Sequence, residues 1–229
     1  MLTVHHLENS RSQRVLWLLE ELGLTYEVRR YERDRTTLLA PAELRAVHPL
    51  GKSPVITDMA PDGSTLTVAE TGAIVEYLIE RHGGGRLKPA AGTPELLAWR
   101  YWLHFAEGSA MSPLLFKLVF DRIASAPMPF FARPIAKAIA AQTEKSFFGP
   151  NLRSHAAYIE SELARQPWFA GAEFSAADIM MSFPMEAAAH RAGLGADGRH
   201  PHARAWLERI HARPAYRRAL ERGGPYAYA

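Results

Sequence analysis

Every strand-like run in this sequence lies before residue 70, and every long apolar repeat after residue 93 has helical spacing. Residues 2–6 and 26–31 read as strands on either side of a helix carrying Val15, Leu16, Leu18, Leu19 and Leu22, with Gly23 placed to end it. Strand, helix and strand within the first 31 residues make a βαβ unit, and its crossover forces the two strands to run parallel. Residues 54–58 and 64–68 flank the turn cluster Ala60-Pro61-Asp62-Gly63 and predict a hairpin. A helix follows over 70–81 with Ile74, Tyr77 and Leu78 on one face, and a short one is expected between 32 and 47.

The run Gly83-Gly84-Gly85-Arg86-Leu87-Lys88-Pro89-Ala90-Ala91-Gly92 is the sharpest break in composition and suits an exposed linker. It divides an α/β domain (1–85) from an all-α domain (93–229), with residues 86–92 between them. In the second domain, helical stretches are expected over 94–123 and 130–165, the latter loosened near Gly149-Pro150. Ser175 followed three residues later by Asp178 is a capping-box pattern that starts another helix. Shorter helices are expected over 200–211 and 215–222.

The 229 residues carry a net charge of +3, with the basic residues scattered. No basic stripe interleaves with aromatics, so nucleic acid is not an expected partner. No run of about 18 apolar residues exists to span a membrane. The N-terminus lacks the basic start and apolar core of a signal peptide. A soluble cytoplasmic protein is expected. There is no cysteine. That removes disulfides, thiolate metal sites and a cysteine nucleophile, so any thiol chemistry must use a thiol carried by a ligand. The ten histidines lack His-Glu-x-x-His spacing, and His5 and His6 on one strand point to opposite faces, so no metal is expected. Gly-x-Ser-x-Gly and Gly-x-Gly-x-x-Gly are both absent, which argues against a serine-hydrolase elbow and a dinucleotide loop.

Three places in the first domain could carry chemistry. Ser10-Arg11-Ser12-Gln13 stands where the first strand turns into the first helix. Read locally it is a Ser-x-x-Gln capping box. Read chemically, a hydroxyl, an arginine and a helix N-terminus can together hold an anion. His48-Pro49-Leu50-Gly51-Lys52-Ser53-Pro54-Val55-Ile56 combines a turn, a cation and a proline-fixed strand start. By itself it is a turn with a solvated lysine; facing a peptide carboxylate, it is half of a binding site. Glu70-Thr71 begins a helix, where an acid and a hydroxyl either favour the dipole and cap the end or clamp an amino acid.

The combination resembles the cytosolic glutathione S-transferases, in the serine-type branch of bacteria and fungi. The motifs are Asn-Ser-Arg-Ser-Gln-Arg-Val-Leu-Trp-Leu-Leu-Glu-Glu-Leu-Gly at 9–23, His-Pro-Leu-Gly-Lys-Ser-Pro-Val at 48–55, Glu-Thr-Gly-Ala-Ile at 70–74 and Phe-Ser-Ala-Ala-Asp-Ile at 174–179. The resemblance covers nearly the whole chain. It implies a thioredoxin-like α/β first domain that binds glutathione as co-substrate. It implies an all-α helical-bundle second domain that shapes a pocket for a small hydrophobic electrophile, a homodimer, and a role in detoxification.

By the same resemblance Ser10 matches the hydroxyl that steadies the glutathione thiolate, with Arg11 and Ser12 as neighbours able to take that part. Pro54 matches a cis-proline, the Ser53 backbone would pair with the cysteinyl unit, and Lys52 would meet the glycyl carboxylate. Glu70 and Thr71 would hold the γ-glutamyl end. Ser175 and Asp178 match a folding element. Tyr101, Phe105, Met111, Leu114 and Leu115 are candidates for the electrophile pocket, although apolar residues at helical spacing also build cores. The chain departs from the family at His48, where asparagine is common, and at Thr71, where serine is. The implied activity is glutathione transfer. A glutathione-dependent peroxidase or isomerase, or a non-catalytic interaction protein of this fold, are the alternatives. The missing cysteine argues against a thiol oxidoreductase.

Overall fold

The computed structural model describes residues 1–37 and 39–228, Asp197 by its backbone alone. Strands β1 (Thr3–Leu7), β2 (Glu27–Tyr31), β3 (Val55–Met59) and β4 (Thr65–Ala69) form one sheet in the order β2-β1-β3-β4. Helices α1 (Gln13–Leu22), α2 (Leu44–Val47) and α3 (Thr71–Arg81) accompany it. β1 and β2 run parallel with Val4 opposite Val28, as the βαβ crossover requires, while β3 is antiparallel to both β1 and β4. Alternation along β1 supplies two faces. Leu2 and Val4 join the main core with α1 and α3, whereas Leu7 meets Tyr31 and Leu44 of α2 in a smaller cluster. Gly23 ends α1 at φ 63°, and the Leu24 N–H returns to the Leu19 carbonyl at 3.0 Å. Glycine adopts that backbone at no steric cost.

Beyond α3 the regular structure among the described residues is helical apart from a bridge between Trp168 and Gly171. The helices are α4 (Pro94–His104), α5 (Met111–Ser125), α6 (Arg133–Thr143), α7 (Gly149–Arg165), α8 (Ala176–Ala192), α9 (Pro201–His211) and α10 (Pro214–Gly223). The helical stretches expected over 94–123 and 130–165 are present, and each is interrupted. The first is interrupted by a π-helical turn at Phe105–Ala110. The second begins only at Arg133 and is interrupted at Glu144–Phe148. A π-turn inserts residues without ending the helix, so an apolar repeat passes through it. Gly149 is required beside the second turn, because a Cβ there would lie 2.4 Å from the Glu144 carbonyl oxygen.

The capping box at α8 is formed. Ser175 Oγ accepts the Ala177 N–H at 3.3 Å, and the Asp178 carboxylate accepts the Ser175 N–H at 3.0 Å. Asp178 also takes the Phe169 N–H (3.0 Å) and the Trp206 indole N–H (3.1 Å), which ties the α8 start to α9. Burial pushes its carboxyl up to about 6, against those donors.

The segment between α3 and α4 is anchored: the Leu87 carbonyl accepts the Ala176 N–H at 2.9 Å and the Trp99 indole N–H at 3.0 Å. The last helix also returns to the sheet domain. Arg213 binds Glu21 through two hydrogen bonds of 2.6 and 2.9 Å, and Arg222 donates to the Tyr26 carbonyl at 2.7 Å. No helix among the described residues is long and apolar enough to cross a membrane.

Candidate functional site

A cleft of about 180 Å³ is lined by Arg11, Lys52, Ser53, Pro54, Glu70 and Thr71, together with His48, Leu50, Ala69 and Glu107. The first six are sequence-predicted site residues, brought together from three separate segments. Ser10 and Ser12 are buried behind the cleft wall rather than in it.

The Lys52-Ser53-Pro54 wall is set by a turn and by β1. Gly51 turns at φ 58°, with its N–H on the His48 carbonyl at 2.8 Å. The Ser53–Pro54 peptide is cis. The Ser53 hydroxyl faces inward, donating to the His5 carbonyl at 2.8 Å and accepting the Leu7 N–H at 3.3 Å. Among the described residues no backbone hydrogen bond engages Ser53, so its N–H and C=O are open to an extended ligand. Pro54 is buried and Lys52 exposed.

Across the cleft, Glu70 holds φ 70°, ψ 126°, a conformation that non-glycine residues seldom adopt and that clusters at ligand clamps. It precedes the first turn of α3, whose free amides favour an anion. Thr71 is buried, and its hydroxyl accepts from Arg14 Nη2 at 3.3 Å.

The Ser10-x-x-Gln13 capping box expected from the sequence does not form. Helix α1 starts at Gln13 with Ser12 at the cap position and no side-chain cap bond. The Gln13 amide atoms are buried without a partner among the described residues. The reason is tertiary: Ser12 Oγ lies 2.9 Å from His6 Nδ1, and Ser10 Oγ lies 2.7 Å from Ser12 Oγ. Burial, with Arg30 nearby, holds His6 down to about 4, and the ring bonds the Gly223 backbone. A neutral ring that donates to a carbonyl presents its other nitrogen as an acceptor. His6 Nδ1 is thus available as an acceptor for the Ser12 hydroxyl, which also reaches the Leu7 carbonyl at 3.3 Å, and the Ser10 and Ser12 hydroxyls hydrogen-bond each other.

Arg11 lies in the cleft. Its Nε is 3.0 Å from Glu107, and its guanidinium sits 5.5 Å from the centre of the Phe183 ring. Arg14, 1% exposed, also binds Glu107 and donates to the Met180 carbonyl at 2.8 Å. Burial raises the Glu107 carboxyl, but Arg14 and Arg11 outweigh it and hold the group below the usual carboxylate value. Glu107 belongs to the first π-turn and comes from the helical half of the chain; no spacing in the sequence marks it. His48 and Leu50 lie in the predicted 48–56 stretch. The cleft thus presents Arg11 and Lys52 against Glu70 and Glu107, which suits a ligand carrying both signs of charge.

None of the five electrophile-pocket candidates borders this cleft. Tyr101 and Leu115 are exposed, Phe105 packs among Trp102, His155 and Tyr158, and Met111 and Leu114 cluster with Phe183. Among the described residues no group of three histidine or acidic side chains could hold a metal.

Models of the glutathione S-transferase N-terminal and C-terminal domains match residues 10–81 and 137–209. Glutathione S-transferase 3 of Schizosaccharomyces pombe is 34% identical over 222 residues, 97% of this chain and 88% of the relative. Glutathione S-transferase 1 of Saccharomyces cerevisiae is 29% identical over 224 residues, 97% of this chain and 95% of the relative. The crystal structure of a glutathione S-transferase from Actinobacillus pleuropneumoniae superposes with a TM-score of 0.75 at 30% identity, covering 100% of this chain and 95% of that one. With both family models matched and a glutathione S-transferase 34% identical along nearly its whole length, the chain belongs to the glutathione S-transferase family.

Proposed function

We propose that this glutathione transferase binds glutathione along the cleft and activates its thiol as a thiolate for attack on a hydrophobic electrophile. Arg11, Lys52, Ser53, Glu70 and Thr71 converge on one cleft, and that convergence carries the reading. Lys52 meets the glycyl carboxylate, and the open Ser53 backbone pairs with the cysteinyl unit. Glu70 takes the ammonium group, and Thr71 with the α3 amides takes the γ-glutamyl carboxylate.

The sulfur is then left beside the β1–α1 turn. There Arg11 is the cation at the wall, while the Ser10 and Ser12 hydroxyls lie off the wall and hydrogen-bond one another and His6. We assign the thiolate-holding charge to Arg11, with Ser10 and Ser12 shaping the turn that aims it. A free thiol ionises at about 8.5, so a fall of about two units, or about 2.7 kcal/mol, makes the thiolate the major form at neutral pH. The thiol proton leaves to solvent, the sulfur lone pair forms the new C–S bond, and the leaving group departs with the displaced electron pair. The electrophile is placed on the second-domain side, where Phe183 lies under Arg11 in one cluster with Met111 and Leu114.

The proposal includes the division into domains 1–85 and 93–229, a cytoplasmic location and a detoxifying role. It also includes a homodimer, for which exposed Leu97, Tyr101, Leu115, Phe116 and Val119 offer apolar surface on α4 and α5. The peroxidase, isomerase and non-catalytic alternatives gain no support from the two yeast relatives and the Actinobacillus structure, which carry the transferase name.

Retention on glutathione-agarose and absorbance titration of the bound thiolate test this reading. Wild type should be retained and show a lowered thiol pKa. Arg11→Ala should return that pKa toward its free value with retention largely intact, and Ser10→Ala should move it less. A wild type with an unshifted thiol refutes the reading, and a larger effect in Ser10→Ala transfers the role to Ser10.

A further inference from the structure

The segment after α10 lies across α8 and the β1–α1 turn, and it is held on α8 at two points. The Tyr226 hydroxyl donates to Glu186 Oε2 at 2.6 Å, and the Tyr228 hydroxyl accepts from Arg191 Nη2 at 2.8 Å. Between these points the Ala227 N–H donates to the side-chain oxygen of Asn9 at 2.7 Å. Asn9 stands in the β1–α1 turn, two residues before Arg11.

The first point of attachment is built around a buried carboxylate. Glu186 is 2% exposed, and both of its oxygens are engaged. Oε2 takes Tyr226, while Oε1 takes the Tyr216 hydroxyl at 2.6 Å and lies 3.1 Å from His211 Nε2. A carboxylate removed from water needs such partners to offset its lost hydration. Burial, with Glu186 alongside, pushes the Tyr226 phenol far up, so the hydroxyl keeps its proton and remains a donor. The second point is backed by rings: Tyr228 lies edge-on to Phe183 and to Tyr226, at 5.5 Å in each case.

From there the segment reaches Arg11 by two routes. Asn9 holds φ 47°, a left-handed backbone that asparagine tolerates better than most residues and that persists where the surroundings fix it. Its carbonyl accepts from Arg33 Nη2 at 3.4 Å and its side chain from Ala227, so the turn is pinned from both sides. The second route is Phe183, whose ring lies 5.5 Å from the Arg11 guanidinium and also packs against Tyr228. Phe183 and Glu186 are three residues apart on α8 and therefore neighbours on its surface.

Resting on the reading of Arg11 as the thiolate-holding cation, we propose that Asn9 and Tyr226 are positioning residues for it: the latched segment 226–228 fixes both the turn before Arg11 and the ring beside its guanidinium. Neither side chain lines the cleft. Their effect is on where the charge stands, and electrostatic stabilisation depends on that placement being set before the reaction. Lys52 and Glu70, which take the two ends of the peptide, belong to other elements, so loss of the latch weakens the thiolate without loosening the peptide.

The test reads the thiol pKa of bound glutathione by absorbance titration in the full chain. Calorimetry with S-methylglutathione, which has no thiol to ionise, reads attachment of the peptide separately. Asn9→Gly leaves the backbone free to hold its positive φ and removes the acceptor; Tyr226→Phe keeps the ring and removes the donor. Each should move the bound thiol about half a unit or more toward its free value, about threefold in the thiol–thiolate equilibrium. Affinity for S-methylglutathione should stay within about twofold of wild type. Both changes act on one segment, so the double variant should move the thiol no further than the larger single change. In an Arg11→Ala background neither should move it. A circular-dichroism melt establishes that each variant is folded. Folded variants whose thiol matches wild type, additive shifts, or a shift that persists without Arg11 each overturn the proposal, as does a lowered Tm with the thiol unmoved. An unshifted thiol in wild type, or an Arg11→Ala without effect, refutes the Arg11 assignment itself and the proposal with it.

Discussion

Replacing Glu107 by glutamine removes one negative charge from between two arginines and changes little else in shape. Arg14 is 1% exposed, so its guanidinium depends on protein acceptors: Glu107, the Met180 carbonyl at 2.8 Å and Thr71 Oγ1 at 3.3 Å. Removing one member of a buried ion pair costs about 3–5 kcal/mol. Two features of the site lower that figure. Glu107 is 34% exposed, so water screens part of the attraction. Glutamine also retains a carbonyl oxygen that can accept from Arg14. The expected loss is about 2 kcal/mol, which for a chain of this size is a fall in Tm of about 4–8 °C. Urea unfolding at pH 7, with an unchanged m-value, measures it.

The Arg11 arm of the same carboxylate is 38% exposed, so a double-mutant cycle of Glu107→Gln with Arg11→Ala should return less than about 1 kcal/mol. The pH dependence follows from the direction of the shift. Glu107 ionises below its usual 4.5 when folded, so its contribution is complete above 4.5 and is lost as pH falls through the folded value. Wild-type and variant stabilities should therefore converge in acid. A loss below about 0.5 kcal/mol at pH 7, or a gap that persists undiminished in acid, refutes the assignment of Arg14–Glu107 as a buried pair.

His6, held at about 4 when folded against 6.5 unfolded, contributes stability that is whole above 6.5 and lost as pH falls to 4; the loss is about 3 kcal/mol, and His6→Gln should flatten that limb of the pH–stability curve. Gly149→Ala forces a methyl against the Glu144 carbonyl and should cost on the order of 1–3 kcal/mol by thermal melting. Asp178→Ala strands the Phe169, Ser175 and Trp206 N–H groups in the interior, so a destabilisation of about 3–6 kcal/mol is expected in urea unfolding. Lys52→Ala should raise KM for glutathione about tenfold or more with kcat nearly unchanged, since a charge-assisted bond to a remote carboxylate acts on binding alone.

The parts of this fold that were legible in the sequence are those fixed by local spacing. Gly23 stops α1, a βαβ unit needs parallel strands, and Ser175 with Asp178 caps α8; each depends on residues within one turn or one crossover. Six members of the cleft were legible because each carries its chemistry at a segment boundary. Glu107 was not, since it occupies a π-turn inside an apolar repeat that looks unbroken from sequence. The Ser10–Gln13 box illustrates the opposite error. The local pattern was present, but His6, six residues before Ser12 on β1, engages the Ser12 hydroxyl, which in turn holds the Ser10 hydroxyl away from the cap. Periodicity identified Phe105, Met111 and Leu114 as apolar without saying which neighbour would cover them, and they are buried in core clusters.

The packing of α10 on α1 sets an order on events that the sequence runs in reverse. Gly223 fits so closely that an added Cβ would lie 2.7 Å from Gln13 Oε1 and 2.9 Å from Leu16 Cδ1, and its backbone is where His6 finds its bond. α10 lies far along the chain from β1 and α1, so the flank of α1 stays wet and His6 lacks its Gly223 bond until that helix has packed. The turn proposed to hold the thiolate is therefore completed by the helical half of the chain, and a first domain on its own would lack that support.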